Sequence, residues 1–216
     1  MAGRRPRRDA ELNRERVLAA AVSAIMREGR HVPLATIAAE AGVGVGTLYR
    51  RYPDREALLH ALEYRSYGLL NQILDEVSPA LSGRAAVMTY LSRALGLADQ
   101  LVLPLRGAPS LMSPEAVEAR RRISVRLDEL IARGHADGSI GAPVNATDVI
   151  VFSALLSGPL AFGPDWPPIA RRQLAVFANG LATPGPEAIP GRAVTREHVE
   201  EALALRVPPE APPTPD

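Results

Sequence analysis

At 216 residues the chain is long enough for one or two domains, with a core that buries roughly 70% of the unfolded surface. It has no cysteine, which excludes disulfides, thiolate metal sites and cysteine nucleophiles; no stretch nears the ~20 apolar residues of a membrane span, so a cytoplasmic protein with no membrane association is expected. The net charge of +1 hides an asymmetry: residues 1–65 carry twelve arginines against eight acids, a net of +4, and residues 66–216 carry thirteen against sixteen, a net of −3. Positive charge stands at one end, where a phosphate-binding module would need it.

Strand signals are scarce and apolar residues recur at three- and four-residue spacing, which predicts an all-α fold. A first helix is expected from an N-cap at Asn13 to a stop near Gly29, with Val17, Leu18, Ala21, Val22 and Ile25 inward; residues 1–12 precede it as a flexible basic arm. Short helices follow over Pro33 to Ala41 and Val45 to Tyr52. A fourth, capped by Asp54, keeps the stripe Leu58, Leu62, Leu69, Ile73 and Val77, a rod of roughly 35 Å that is long enough to join two domains. A fifth runs from Arg84 through Met88, Leu91, Leu95, Ala98 and Val102 to Pro104. A sixth takes Ser113 as N-cap and Pro114 at its first position, turns Ile123, Leu127, Leu130 and Ile131 inward, and ends before Gly138. The arginine-rich run from Glu118 to Arg126 reads as its solvated face.

The run from Ala146 to Leu160 is apolar nearly all round. Val149, Ile150 and Val151 would suit a strand, but the length favours a buried helix. A further helix carries Leu174, Phe177 and Leu181. Prolines and glycines dominate after Thr183, where only Thr195 to Arg206 reads as helix, with Val194 and Val199 placed for a hydrophobic staple; the rest of residues 184–216 reads as a disordered tail.

The stretch "AEAGVGVGTLYRRYPDREALL", Ala39 to Leu59, carries most of the functional signal. Its Gly-x-Gly-x-Gly spacing is not the Gly-x-Gly-x-x-Gly of a dinucleotide loop, a helix pattern rather than a strand precedes it, and a chain without lysine has no Walker motif. A helix-turn-helix needs a small residue where two helices cross, a glycine four residues later, and an apolar residue packing back from the second helix. Ala38, Gly42 and Leu48 stand at those offsets.

The segment "ATIAAEAGVGVGTLYRRYPDREALL" resembles the DNA-binding signature of the tetracycline repressor (TetR) family, with motif similarity over roughly residues 13–60. The resemblance departs at Gly44, where the family has a capping serine, at Arg51 for histidine, at Arg55 for lysine, and at Val45, where many relatives are polar or basic. It implies a helix-turn-helix domain over residues 13–60 and a helical effector-binding and dimerisation domain over residues 61–183. It further implies that Val45, Gly46 and Arg50 approach base edges of a double-stranded DNA operator, and that Thr47, Tyr49, Arg51 and Arg55 face phosphates. Arginine suits bidentate hydrogen bonds to guanine, and Val45 offers only an apolar contact such as a thymine methyl.

The same resemblance implies a pocket between the fourth and eighth helices and a homodimer made by the last two. Leu69, Ile73, Met88, Leu91, Leu95, Leu127, Phe152 and Trp166 are the candidate pocket residues, though each also suits plain core. Their character points to an apolar or amphipathic small-molecule effector. The four histidines are scattered and no Gly-x-Ser-x-Gly occurs, so no metal, cofactor or catalytic residue is expected. The expected function is a homodimeric repressor released from a palindromic operator by its effector. Two alternatives stay open: a helical enzyme or small-molecule binder that does not bind DNA, and a DNA-binding regulator controlled by a protein partner.

Overall fold

The structure, a computed structural model, describes residues 5–29, 31–103, 112–157, 166–182 and 193–205, with side chains from residue 11. The described residues form α1 (Arg5–Glu28), α2 (Leu34–Ala41), α3 (Val45–Arg51), α4 (Arg55–Asp75), α5 (Gly83–Gly96), a 3-10 turn (Ala98–Gln100), α6 (Pro114–Ala136), α7 (Ala146–Ser157), α8 (Trp166–Ala182) and α9 (Arg196–Ala204). They contain no strand, and the β-branched run Val149 to Val151 lies inside α7. Gly158 to Leu160, expected to continue that helix, lie outside the described residues.

Two differences from the expected boundaries have clear causes. α1 begins at Arg5, so from that residue on the arm expected to be flexible is instead the opening turns of the helix. Pro6 does not prevent this, because the first turn has no amide partners to lose. Asn13 also does not cap: its side chain accepts from Arg16, and Glu11 pairs with Arg14 at 3.0 Å, both contacts along a continuing helix surface. α5 ends at Gly96 rather than near Pro104. Beyond it the Val102 amide donates to Ser66 Oγ at 2.9 Å, which pulls the chain across α4.

Two apolar cores share α4. One gathers Val17, Leu18, Ile37, Leu48, Leu58 and Leu62 from α1 to α4; the other gathers Tyr67, Leu70, Leu74, Tyr90, Leu127 and Leu174 from α4 to α8. At 1.5 Å per residue the 21 residues of α4 span about 31 Å. The helix stops two residues, about half a turn, short of the expected rod, and Val77 packs just past its end. Arg65 on α4 binds Glu15 of α1 at 2.9 Å, a second tie between α4 and the N-terminal helices.

Within the second core α5 and α6 cross at Gly83 and Gly134, close enough that a Cβ on Gly83 would overlap the Gly134 backbone. Asp137 fixes the crossing by accepting the Gly83 amide at 2.8 Å and the Ser139 amide at 2.9 Å. These bonds, with the Ser139 side chain foremost, hold the Asp137 carboxyl below the usual carboxylate range. The expected Ser113 cap forms, its side chain accepting the Ala116 amide.

The C-terminal segment is not merely a tail. α9 is started by Thr195, whose amide donates to His198 Nδ1 at 3.1 Å, and Val194, the residue before this cap, is 48% exposed. Asn145 donates Nδ2 to the Val194 carbonyl at 3.0 Å, bringing α9 against the entry to α7.

Candidate nucleic-acid interface and inner cavity

α2 ends where Gly42 takes φ +66°, left-handed backbone that glycine adopts without a Cβ clash. The amides of Gly42 and Val43 return to the Ala39 and Ala38 carbonyls at 3.1 and 3.0 Å, and the chain turns into α3. Gly44 occupies the N-cap of α3 in extended conformation and supplies no side-chain bond there. Ala38 is fully buried at the crossing, and Leu48 and Tyr52, four residues apart, pack back into the first core. That pair fixes the rotation of α3. Val45, Gly46, Thr47, Tyr49, Arg50 and Arg51 are left facing solvent, with Val45 and Tyr49 exposed by 43% and 47% although both are apolar enough to bury.

Arg55 differs from these six. Half-buried at the start of α4, it donates Nη1 to the Val32 carbonyl at 2.7 Å and braces the turn that leads into α2. Beside it Asp54 accepts the Ala57 amide at 2.8 Å and caps α4 as expected.

The second core encloses a cavity of about 90 Å³ for the centres of water molecules, room for several. Its walls are mostly apolar, from Leu70, Tyr90, Ile123 and Ile150 on α4 to α7, and Val199 and Leu203 of α9 close one side. One end is charged. There Arg120 of α6 holds Glu200 of α9 in a bidentate pair, Nε and Nη2 donating at 2.8 and 2.7 Å. Its Nη1 lies 3.6 Å from Glu63 of α4, a fully buried carboxylate that also accepts the Tyr67 hydroxyl at 2.6 Å, and its guanidinium sits 5.6 Å from the Tyr67 ring centre. Burial is the largest single influence on Arg120 and opposes its charge, but the Glu200 hydrogen bonds, the Tyr67 oxygen and the Glu200 charge together outweigh it and hold the group above its ordinary range; burial, then Glu63, pushes the Tyr67 hydroxyl up.

Comparison with known proteins agrees with this arrangement. The profile of "Bacterial regulatory proteins, tetR family" matches residues 17–62, the span from α1 to α4 that forms the first core. A TetR transcriptional regulator from Streptomyces coelicolor is 31% identical over 78% of this chain and 97% of its own, with a TM-score of 0.54. The chain belongs to the TetR family. A second TetR-family structure, from Mycobacterium vanbaalenii, is 27% identical over 82% of this chain and 99% of its own, with a TM-score of 0.58. The transcriptional regulator FadR from Bacillus subtilis, solved in complex with stearoyl-CoA, shares the fold at 17% identity over 78% of this chain and 95% of its own, with a TM-score of 0.55. No curated protein matches the chain. TetR-family members are non-enzymatic DNA-binding transcriptional regulators. Among the described residues of this TetR chain, no helix is long and apolar enough to cross a membrane, and no three His, Asp or Glu residues cluster to hold a metal.

The eight residues expected in the pocket are placed differently from the cavity wall. Ile73, Leu91 and Leu127 are buried core, and Leu69, Met88, Leu95, Phe152 and Trp166 are half-buried against it; none of the eight lines the cavity. Helix phase is the reason. On α4 the cavity takes Tyr67 and Leu70; Leu69 lies about 100° or more around the helix from both, and Ile73, only about 60° from Leu70, lies a turn farther along the helix, past the cavity. On α6 Leu127 lies on the inner face but past the cavity, which takes Arg120 and Ile123. Phe152 stacks on Phe177 of α8 with ring centres 4.0 Å apart, and Trp166 opens α8 and donates Nε1–H to the Leu156 carbonyl at 3.1 Å. Arg120, read in sequence as part of a solvated face, is only 8% exposed. Its position three before Ile123 and seven before Leu127 marks it as inward.

Proposed function

We propose that this TetR-family regulator is a homodimeric repressor that binds a palindromic operator through α3 and is released by an apolar or amphipathic small molecule bound in the inner cavity. The observation that carries the reading is the double use of α4. Its first turn adjoins α3 and its middle turns, at Tyr67 and Leu70, form cavity wall, about 20 Å apart along one rigid rod. A ligand that fits the cavity in only one tilt of that rod changes the spacing of two DNA-reading heads. It shifts the protein off the operator by its difference in affinity for the two states.

On the DNA side, Val45, Gly46 and Arg50 would meet base edges, and Thr47, Tyr49, Arg51 and Arg55 would meet phosphates, with Arg55 also bracing the Val32 turn. The mostly apolar cavity wall favours an effector held chiefly by burial, at about 25 cal/mol per Å² of apolar area. FadR from Bacillus subtilis, which binds stearoyl-CoA, is a fold relative whose ligand carries a long apolar chain. Selection of genomic fragments by the purified protein, followed by footprinting, is expected to yield an inverted repeat with half-sites one helical turn apart or a multiple of it. A panel of acyl, aromatic and polycyclic compounds is then expected to release the fragment and change Trp166 fluorescence. Release by metal ions or sugar phosphates alone would overturn the apolar effector.

A further inference from the structure

The charged end of the cavity has a construction that apolar burial does not explain. Arg120 presents its planar Nε/Nη2 edge to the Glu200 carboxylate in the geometry that arginine uses to recognise carboxylates in general. Its two carboxylate partners are unequal. Glu63 is fully buried in the middle of α4, held by the Tyr67 hydroxyl, and has nowhere to go. Glu200 has a partly exposed side chain and rides on a helix of nine residues in which only Leu203 is buried. An isolated helix of that length does not hold itself together in water, so α9 depends on its few attachments: the Arg120 pair, Leu203 and the Asn145 bond.

Resting on the reading of this cavity as the effector site, we propose that Arg120 is the anchor for the headgroup of an amphipathic monocarboxylate. Glu200 competes with the ligand for the same guanidinium edge, so ligand entry frees α9 from the cavity mouth. The exchange is carboxylate for carboxylate, so the buried guanidinium keeps a charge-assisted bidentate partner throughout. A neutral ligand entering the same way would leave that edge without a carboxylate, and a cation would meet Arg120 directly. The apolar tail would extend along Leu70, Ile123 and Ile150. With α9 in place the cavity has room for only several waters, so all but the shortest tails require the helix to give way.

The test uses the full-length protein and alkanoates from butanoate to dodecanoate, each beside the amide and amine of equal length. Binding is followed calorimetrically and the amides of residues 196–204 by hydrogen exchange. At least one alkanoate is expected to bind about ten-fold or more tighter than its amide, charge-assisted bonds being about twice as strong as neutral ones, and to speed exchange across α9. Glu200→Gln is expected to tighten alkanoate binding by the factor by which the competing carboxylate had held the site closed. Arg120→Gln is expected to abolish the preference for the carboxylate; because it also removes the cation beside Glu63 and can unfold the domain, Glu200→Gln is the deciding variant. Equal binding of alkanoate and amide, no binding anywhere in the series, unchanged exchange in α9 at saturation, or weaker binding by Glu200→Gln each overturns the proposal. Operator release is scored separately. Alkanoate binding that frees α9 while the operator stays bound supports the anchor and overturns effector control, whereas release by neutral compounds with no carboxylate preference does the reverse.

Discussion

Arg50 stands on the outer side of α3, two residues beyond the buried Leu48 that pins the helix, so its guanidinium projects while its backbone is held. Arg50→Ala is expected to cost about 1–3 kcal/mol on the operator and to relax preference at one base pair per half-site, because a bidentate arginine contact discriminates guanine. Arg51→Ala is expected to weaken all duplexes alike and to lower the salt slope by about one unit. Binding to operator and random duplexes across a salt series separates the two, and an equal loss on random DNA would make Arg50 a phosphate contact only. Arg55→Ala is expected to lower thermal stability as well, since it removes the brace on the Val32 carbonyl. The placement of α3 was legible in sequence because Ala38, Gly42 and Leu48 perform local jobs: a close crossing, a left-handed turn, and a side chain packing back. Arg120 was not, because its partners Glu63 and Glu200 lie 57 residues before it and 80 after it. Only its phase with Ile123 and Leu127 hinted that it faces inward.

Elements whose ends are set by caps matched expectation, as at Asp54 and Ser113, because a cap is a hydrogen bond across three residues. An element ended by a long-range contact did not: α5 stops where Val102 is drawn to Ser66. The helix of α9 was legible, and only its attachment to α6 and α7 was not. The α5–α6 crossing belongs to the second kind, and it decides the sign of a substitution that local rules would get wrong. Gly83 opens α5, where alanine would gain up to about 1 kcal/mol of helix propensity. A Cβ there would overlap the Gly134 backbone nitrogen and Cα, which have no side-chain freedom with which to yield. Gly83→Ala is therefore expected to destabilise by about 1–3 kcal/mol, as overpacking does, through separation of the two helices. Gly96→Ala, at the other end of the same helix, meets nothing within 4 Å and is expected to be neutral or stabilising. Urea midpoints of the two variants compare the terms directly, and equal midpoints would show that the crossing relaxes freely.

At the scale of the whole molecule, α7 and α8 present apolar side chains that stay exposed among the described residues. Leu155 is 70% exposed, Val151 one turn earlier, at the edge of the inner cavity, is 40% exposed, and Val176 on α8 is 57% exposed, while the Phe152–Phe177 stack ties the two helices together. Burying a valine or leucine side chain is worth about 1.5–3 kcal/mol, so leaving three exposed on two helices is costly unless a second surface meets them. In the proposed homodimer a two-fold partner would bring the same two helices from a second copy and make a four-helix interface. The same symmetry would fix the distance between two copies of α3, which a palindromic operator would require at about 34–36 Å or a multiple. Leu155→Arg places a charge at the most exposed of these apolar positions and touches neither core, so helical content should stay as it is. It is expected to convert the dimer to monomers and to lose operator affinity through the loss of the second reading head, although α3 itself is unaltered. Sedimentation velocity and circular dichroism on both proteins, beside operator titrations, test each step. A clean monomer of the unmutated protein at micromolar concentration, or a variant that keeps both dimer and operator affinity, would remove α7 and α8 as the dimer face.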